Sequence, residues 1–127
     1  MTRQMLRCKI HRATVTQTEL MYEGSLTLDG DLMDAAGLAP YERIEVYNMQ
    51  RGTRFATYVI PGPRGGGDCC VNGAAAHLAE TGDEVILCCY SDYAEAEVAT
   101  HRPTVIVVDS HNRVTDIKTA EKAATPV

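Results

Sequence analysis

The chain has 127 residues, 45% of them hydrophobic, and a formal net charge of −5. That length suits one domain with a hydrophobic core of its own, without disulfide or metal staples. The acidic balance, with Lys and Arg scattered rather than blocked, argues against a nucleic-acid partner, and no apolar run approaches the ~20 residues of a membrane span.

The opening "MTRQMLRCKIHR" has neither a continuous apolar core nor a small-residue cleavage site, so no secretory signal is expected. Residues 5–16 put Leu6, Cys8 and Ile10 on one face and Arg7, Lys9 and His11 on the other, the period of a strand. "SLTLD" continues extended, and "GDLMDAAGL" predicts a short helix with Asp31 or Asp34 near its start and Gly37 near its end. Residues 42–60 read as a hairpin, "ERIEVYNM" and "RFATYVI" about the turn "QRGT". After the loop "PGPRGGGD" come a short strand "CCVN", a turn or two of helix in "GAAAHLA", and a buried strand "DEVILCCY". "AEAEVAT" predicts a small helix and "PTVIVVD" a last strand, with a polar, mobile tail over 110–127.

Five cysteines occur as Cys8 and the adjacent pairs Cys69-Cys70 and Cys88-Cys89. Neighbours in a strand point to opposite faces, so neither pair can chelate one metal. Buried free thiols in a reducing compartment are expected. One internal echo stands out: "AAGLAPYERIEV" at 35–46 resembles "AAHLAETGDEVIL" at 75–87, each helix, acidic connector and apolar strand. Two such units suggest a pseudo-two-fold barrel.

The chemistry centres on "YEGS". The hydroxyl of Ser25 can reach the carbonyl of Gly24 through a five-membered ring and move the acyl group from nitrogen to oxygen. Elimination and loss of ammonia would then leave a pyruvoyl group at residue 25. Gly24 was the choice expected to keep that carbonyl uncrowded. A Gly-Ser pair by itself needs only turn chemistry.

Together with "KIHRATVT", "RFATY" at 54–58 and "VNGAAAH" at 71–77, this stretch resembles the pyruvoyl-dependent aspartate 1-decarboxylase family of pantothenate synthesis, from about residue 3 to about residue 108. The resemblance implies a mainly β fold, a six-stranded double-psi β-barrel with short helices. It implies a single domain over 1–127, self-cleaved into a small chain 1–24 and a large chain 25–127. The cofactor would be the covalent pyruvoyl group made from Ser25, with no metal, and L-aspartate would be held to it as an imine (Schiff base) during decarboxylation to β-alanine and carbon dioxide.

By the same resemblance Ser25 and Tyr58 are catalytic, Tyr58 delivering the proton to carbon. Gly24, Ser25 and Thr57 serve cleavage. Thr57, Gly73, Ala74, Ala75, Arg54 and Lys9 bind substrate, Arg54 through the planar fork that suits a carboxylate. Asn72, a natural helix N-cap, supports the site with His11 and Tyr22. Thr57 and Tyr58 are adjacent in a strand, so a bulge or a site shared between subunits is required for both to act together. A cytoplasmic homotetramer with sites between subunits is implied, with or without a maturation partner protein. Two rivals remain: a non-enzymatic barrel that binds without cleaving, and a decarboxylase of a different acidic amino acid.

Overall fold

The alternation at the amino terminus is realised as strand β1, Thr2–Thr14, whose Cys8 and Ile10 face the core while Lys9 and His11 lie on the outer side. The computed structural model describes residues 1–123. After β1 come β2 (Gln17–Glu19), β3 (Ser25–Asp29), α1 (Gly30–Ala36), β4 (Arg43–Asn48), β5 (Arg54–Gly62) and β6 (Cys69–Asn72). A 3₁₀ helix (Gly73–Leu78), β7 (Glu84–Ala94), α2 (Glu95–Val98), β8 (Thr104–Val108) and β9 (Val114–Lys118) complete the order.

The strands form one ladder of nine in the order β2-β6-β3-β5-β4-β7-β1-β8-β9. The expected mainly β architecture holds, but six strands is corrected to nine. The strand β2 was missed because its three residues are too few to show a period. The tail expected over 110–127 is also corrected in part, since β9 pairs antiparallel with β8, Ile106 opposite Ile117. All five β9 residues are exposed, so burial imposes no alternation that a sequence reading could detect. Residues 124–127 lie outside the described residues.

The hairpin over 42–60 forms as expected, β4 antiparallel to β5 with Arg43 opposite Tyr58 and Tyr47 opposite Arg54. The helix α1 ends as expected on Gly37, at φ 71°, and carries Asp31 in its first turn, with Asp29 as its N-cap. The Asp29 carboxylate accepts from the backbone of Asp31 at 2.9 Å, Gly65 at 3.0 Å and Gly67 at 2.9 Å, so one side chain caps the helix and ties down the glycine loop. The two echoed segments lead into β4 and β7, which pair antiparallel with Val46 opposite Leu87. Those two residues end the matching segments, so the two units meet at this pair.

Leu26, Leu28, Ile44, Val46, Val59, Val71, Leu87 and Ile106 are fully buried in one apolar cluster. Burial of each such side chain contributes about 1.5–3 kcal/mol before conformational entropy is counted. All five cysteines are free thiols, and all but Cys70 are buried. Burial pushes the Cys8 and Cys69 thiols up to about 12, so they behave as small apolar groups.

Candidate active site

Ser25 opens β3 at the boundary between an exposed loop and the core. Leu20, Met21 and Tyr22 are exposed, the loop bends at Gly24, and Ser25 is only 2% exposed. The β3–β6 ladder sets Ser25 opposite Asn72 and Thr27 opposite Cys70. Directly opposed residues share a face, so these four polar side chains form a square on one side of the pair. The Asn72 Nδ2 donates to Ser25 Oγ at 3.2 Å and to Thr27 Oγ1 at 3.0 Å. The Cys70 thiol donates to Asn72 Oδ1 at 3.0 Å.

Asn72 does occupy the position before the 3₁₀ helix, but its side chain makes no capping bond there. The expected N-cap role is therefore corrected: the amide reaches across to β3, where a buried hydroxyl needs a partner. Thr27 and Cys70 were not singled out from the sequence. Alternation in "SLTLD" and "CCVN" pairs Ser25 with Thr27 and Cys70 with Asn72, but the register between the strands was not readable.

Gly73, at φ 70°, lies against the loop that precedes Ser25. A Cβ on Gly73 would come within 2.5 Å of the Gly24 Cα and 2.7 Å of its nitrogen. By contrast, a Cβ on Gly24 would meet nothing within 4 Å. The folded surroundings therefore demand glycine at Gly73 and leave open space at Gly24. Ala74 is exposed and Ala75 partly so.

The register of β3 against β5 sets Leu26 opposite Val59, which puts Tyr58 level with Ser25 on the neighbouring strand. The Tyr58 ring stacks on Tyr41 with centroids 6.0 Å apart. Thr57 is opposite the buried Ile44, while Tyr58 is opposite the exposed Arg43. No register shift interrupts this ladder, so a bulge does not bring the two residues to one face. Among the described residues no hydrogen bond joins Thr57 to Gly24 or Ser25.

Lys9, His11 and Arg54 lie elsewhere. The strands β5, β4 and β7 stand between β3 and β1 in the ladder, so Lys9 is four strands from Ser25 along it. Lys9 Nζ pairs with Glu121 at 2.9 Å. With His11, Val105, Val107 and Lys118 these residues line a cavity of about 570 Å³. His11 Nδ1 is buried and has no hydrogen-bond partner among the described residues. Burial, and then the charges of Lys9 and Arg12, hold its pKa below the usual histidine value. Arg54 is on the strand beside Ser25 but at its far end, with its Cζ 4.4 Å above the Tyr47 ring. The Tyr47 hydroxyl meets that of Tyr90 at 3.0 Å, and Cys88 lies beside Tyr90, Lys9 and Glu121. Arg54 and Lys9 thus mark two ends of one outer-face ribbon. Tyr22 is 63% exposed, its carbonyl turned toward Gly73.

A family profile described as aspartate decarboxylase matches residues 1–115. The aspartate 1-decarboxylase of Heliobacterium modesticaldum is 55% identical over 123 residues, covering 97% of this chain and 93% of that protein. That of Ralstonia nicotianae is 51% identical over 118 residues, 93% of this chain and 98% of its own. That of Bordetella avium is 52% identical over 118 residues, 93% and 97% respectively.

Proposed function

The chain belongs to the aspartate decarboxylase family, and we propose that it converts L-aspartate to β-alanine and carbon dioxide after cleaving itself between Gly24 and Ser25. The observation that carries this reading is Ser25 itself: a buried hydroxyl, held by the Asn72 amide at 3.2 Å, immediately after an exposed glycine bend. Family membership supports the activity, and the surroundings of Ser25 fit the making of a pyruvoyl group from that residue.

Cleavage is an internal acyl transfer. Ser25 Oγ bonds to the Gly24 carbonyl carbon, the carbon–nitrogen bond breaks, and the proton from Oγ ends on the departing nitrogen. Loss of the Ser25 Cα proton then expels Oγ as the carboxylate of Gly24, leaving a double bond at residue 25. Addition of water and loss of ammonia complete a pyruvoyl group on chain 25–127. The Asn72 amide serves the elimination, because negative charge builds on the departing oxygen to which it donates.

The pyruvoyl group supplies a ketone that takes up the substrate amine and accepts the electron pair released with carbon dioxide. Tyr58, level with residue 25 on the adjoining strand, carries on its Oη the proton that replaces the lost carboxylate. The 3₁₀ backbone at Gly73, Ala74 and Ala75 borders the substrate. Arg54 takes its retained carboxylate through the guanidinium fork, with Lys9 as a second cation and His11 behind it. Within one chain Lys9 pairs with Glu121 and Arg54 lies over the Tyr47 ring, not against Ser25, which favours a site completed by a neighbouring copy in a homotetramer. The same sharing would let Thr57 act from the opposite face during cleavage.

We read the fold as a double-psi β-barrel, on the parallel pairs β1–β8 and β3–β5 and the two helix–strand units meeting at Val46 and Leu87. The enzyme would act in the cytoplasm and supply pantothenate synthesis, with or without a maturation partner. No helix among the described residues is long and apolar enough to cross a membrane. Denaturing mass spectrometry and a β-alanine assay on one preparation test the function. Two fragments divided at Gly24–Ser25, with β-alanine formed from L-aspartate in preference to other acidic amino acids, are expected. One whole chain that decarboxylates aspartate would overturn the mechanism, and two fragments with no such activity would overturn the substrate.

A further inference from the structure

We propose that Cys70 is a positioning residue for cleavage, its thiol deciding which end of the Asn72 amide faces the Ser25 hydroxyl, a role that rests on the reading that the Gly24–Ser25 bond is broken. The amide could sit in either of two orientations related by a flip about its last torsion. Thr27 cannot choose between them, because a hydroxyl donates or accepts equally well, and Ser25 is biased only by the long 3.5 Å bond its Oγ donates to the Glu23 carbonyl. A thiol donates but accepts only weakly, so Cys70, with its Sγ 3.0 Å from Oδ1, favours the orientation that puts oxygen toward sulfur. The amino group is then left to face Ser25 Oγ and Thr27 Oγ1.

The thiol keeps the proton this requires. Burial, and then the charges of Asp68 and Glu19, raise the Cys70 pKa above the ordinary thiol value. Cys70 therefore stays protonated at neutral pH.

Orientation matters because of where charge develops. Oγ gives up electron density as it attacks the Gly24 carbon, whose carbonyl oxygen takes the charge, and regains it as the Cβ–Oγ bond breaks and its electron pair leaves with the Gly24 carboxylate. The Cα–H pair fills the new carbon–carbon double bond and that proton passes to water. An amide N–H at Oγ stabilises that departing carboxylate, whereas the flipped amide would set its carbonyl oxygen against the same developing charge.

The test follows the rate at which freshly synthesised chain divides, by cell-free synthesis, quenching and denaturing mass spectrometry. Cys70→Ser keeps a donor and is expected to cleave within about two-fold of the parent. Cys70→Ala and Cys70→Val remove it and are expected to cleave about three- to ten-fold more slowly, the effect of losing one hydrogen bond. In an Asn72→Ala background, Cys70→Ala is expected to add nothing, because the amide it orients is gone. Parental rates in both Cys70→Ala and Cys70→Val, equal slowing in Cys70→Ser, or a full additive effect in the Asn72→Ala background would each overturn the proposal. A parent that stays whole would overturn the cleavage reading beneath it, an outcome distinguishable because no variant is then needed.

Discussion

Asn72 and Ser25 stand directly opposite each other in the β3–β6 ladder, and the Asn72 amide donates to the Ser25 hydroxyl at 3.2 Å. Ladder register thus fixes a buried donor on the one serine that follows an exposed glycine. Ser25→Ala removes the only atom able to attack Gly24 while leaving the strand intact. A single uncleaved chain of normal far-ultraviolet circular dichroism, forming no β-alanine, is expected. In the parent, the larger fragment should weigh less, by one ammonia, than simple hydrolysis gives.

Gly73 and Gly24 are expected to respond in opposite ways to the same added methyl. Gly73→Ala forces a left-handed φ on an L-residue and drives a Cβ into the Gly24 backbone. The backbone term alone costs about 1–2 kcal/mol. A lower Tm and impaired chain cleavage should follow. Gly24→Ala meets open space, so its stability should stay within about 0.5 kcal/mol of the parent by denaturant titration.

Cofactor formation and turnover should separate at β5. Nothing in the acyl transfer needs a phenol, so Tyr58→Phe should still yield two chains. Its decarboxylation should fall by about 10²–10⁴-fold, the usual contribution of one general acid. Thr57→Val, on the opposite face, is expected to stall cleavage instead. Gel analysis and β-alanine assay of the same preparations check both, and a Tyr58→Phe enzyme at the parental rate would remove the tyrosine from proton transfer.

Arg54 holds its guanidinium over the Tyr47 ring, a contact that steadies a planar group. Arg54→Lys keeps the charge and loses the fork. A fall in kcat/KM for aspartate corresponding to about 1.5–3 kcal/mol is expected if a charge-assisted hydrogen bond is lost, with cleavage retained. Steady-state kinetics on the matured variant decide this, and an unchanged kcat/KM would place Arg54 outside the site.

Asp83 governs an acid-sensitive part of the stability. Its carboxylate is 6% exposed and accepts from Asn48 Nδ2 at 2.9 Å, Arg51 Nε at 2.7 Å and the Glu80 backbone at 2.9 Å. Burial opposes ionisation, but the bonds from Asn48 and Arg51 prevail and hold the pKa below the usual carboxylate value. The folded state therefore binds this proton less readily than the unfolded chain. The contribution is complete above the unfolded value of about 3.9 and is lost as pH falls through the folded one. Asp83→Asn should lower stability at pH 7 and flatten the loss between pH 5 and 3, as measured by denaturant titration across that range.

The sequence alone determined the local elements and the chemical candidates. Alternation in "KIHRATVT", the "QRGT" turn and Gly37 after an apolar helix each express an interaction within a few residues, so β1, the β4–β5 hairpin and the end of α1 were legible. The echo between 35–46 and 75–87 was legible too, because it compares the chain with itself. Strand register was not, since it depends on which distant backbones share hydrogen bonds. Only the folded chain set Asn72 opposite Ser25 and Cys70 opposite Thr27, turned an apparent N-cap into a serine's partner, and put a steric need for glycine at Gly73. Solvent exposure hid β9, which buries nothing and so leaves no period to read. The placing of Lys9 four strands from Ser25 along the ladder was likewise decided by strand order, which no local pattern encodes.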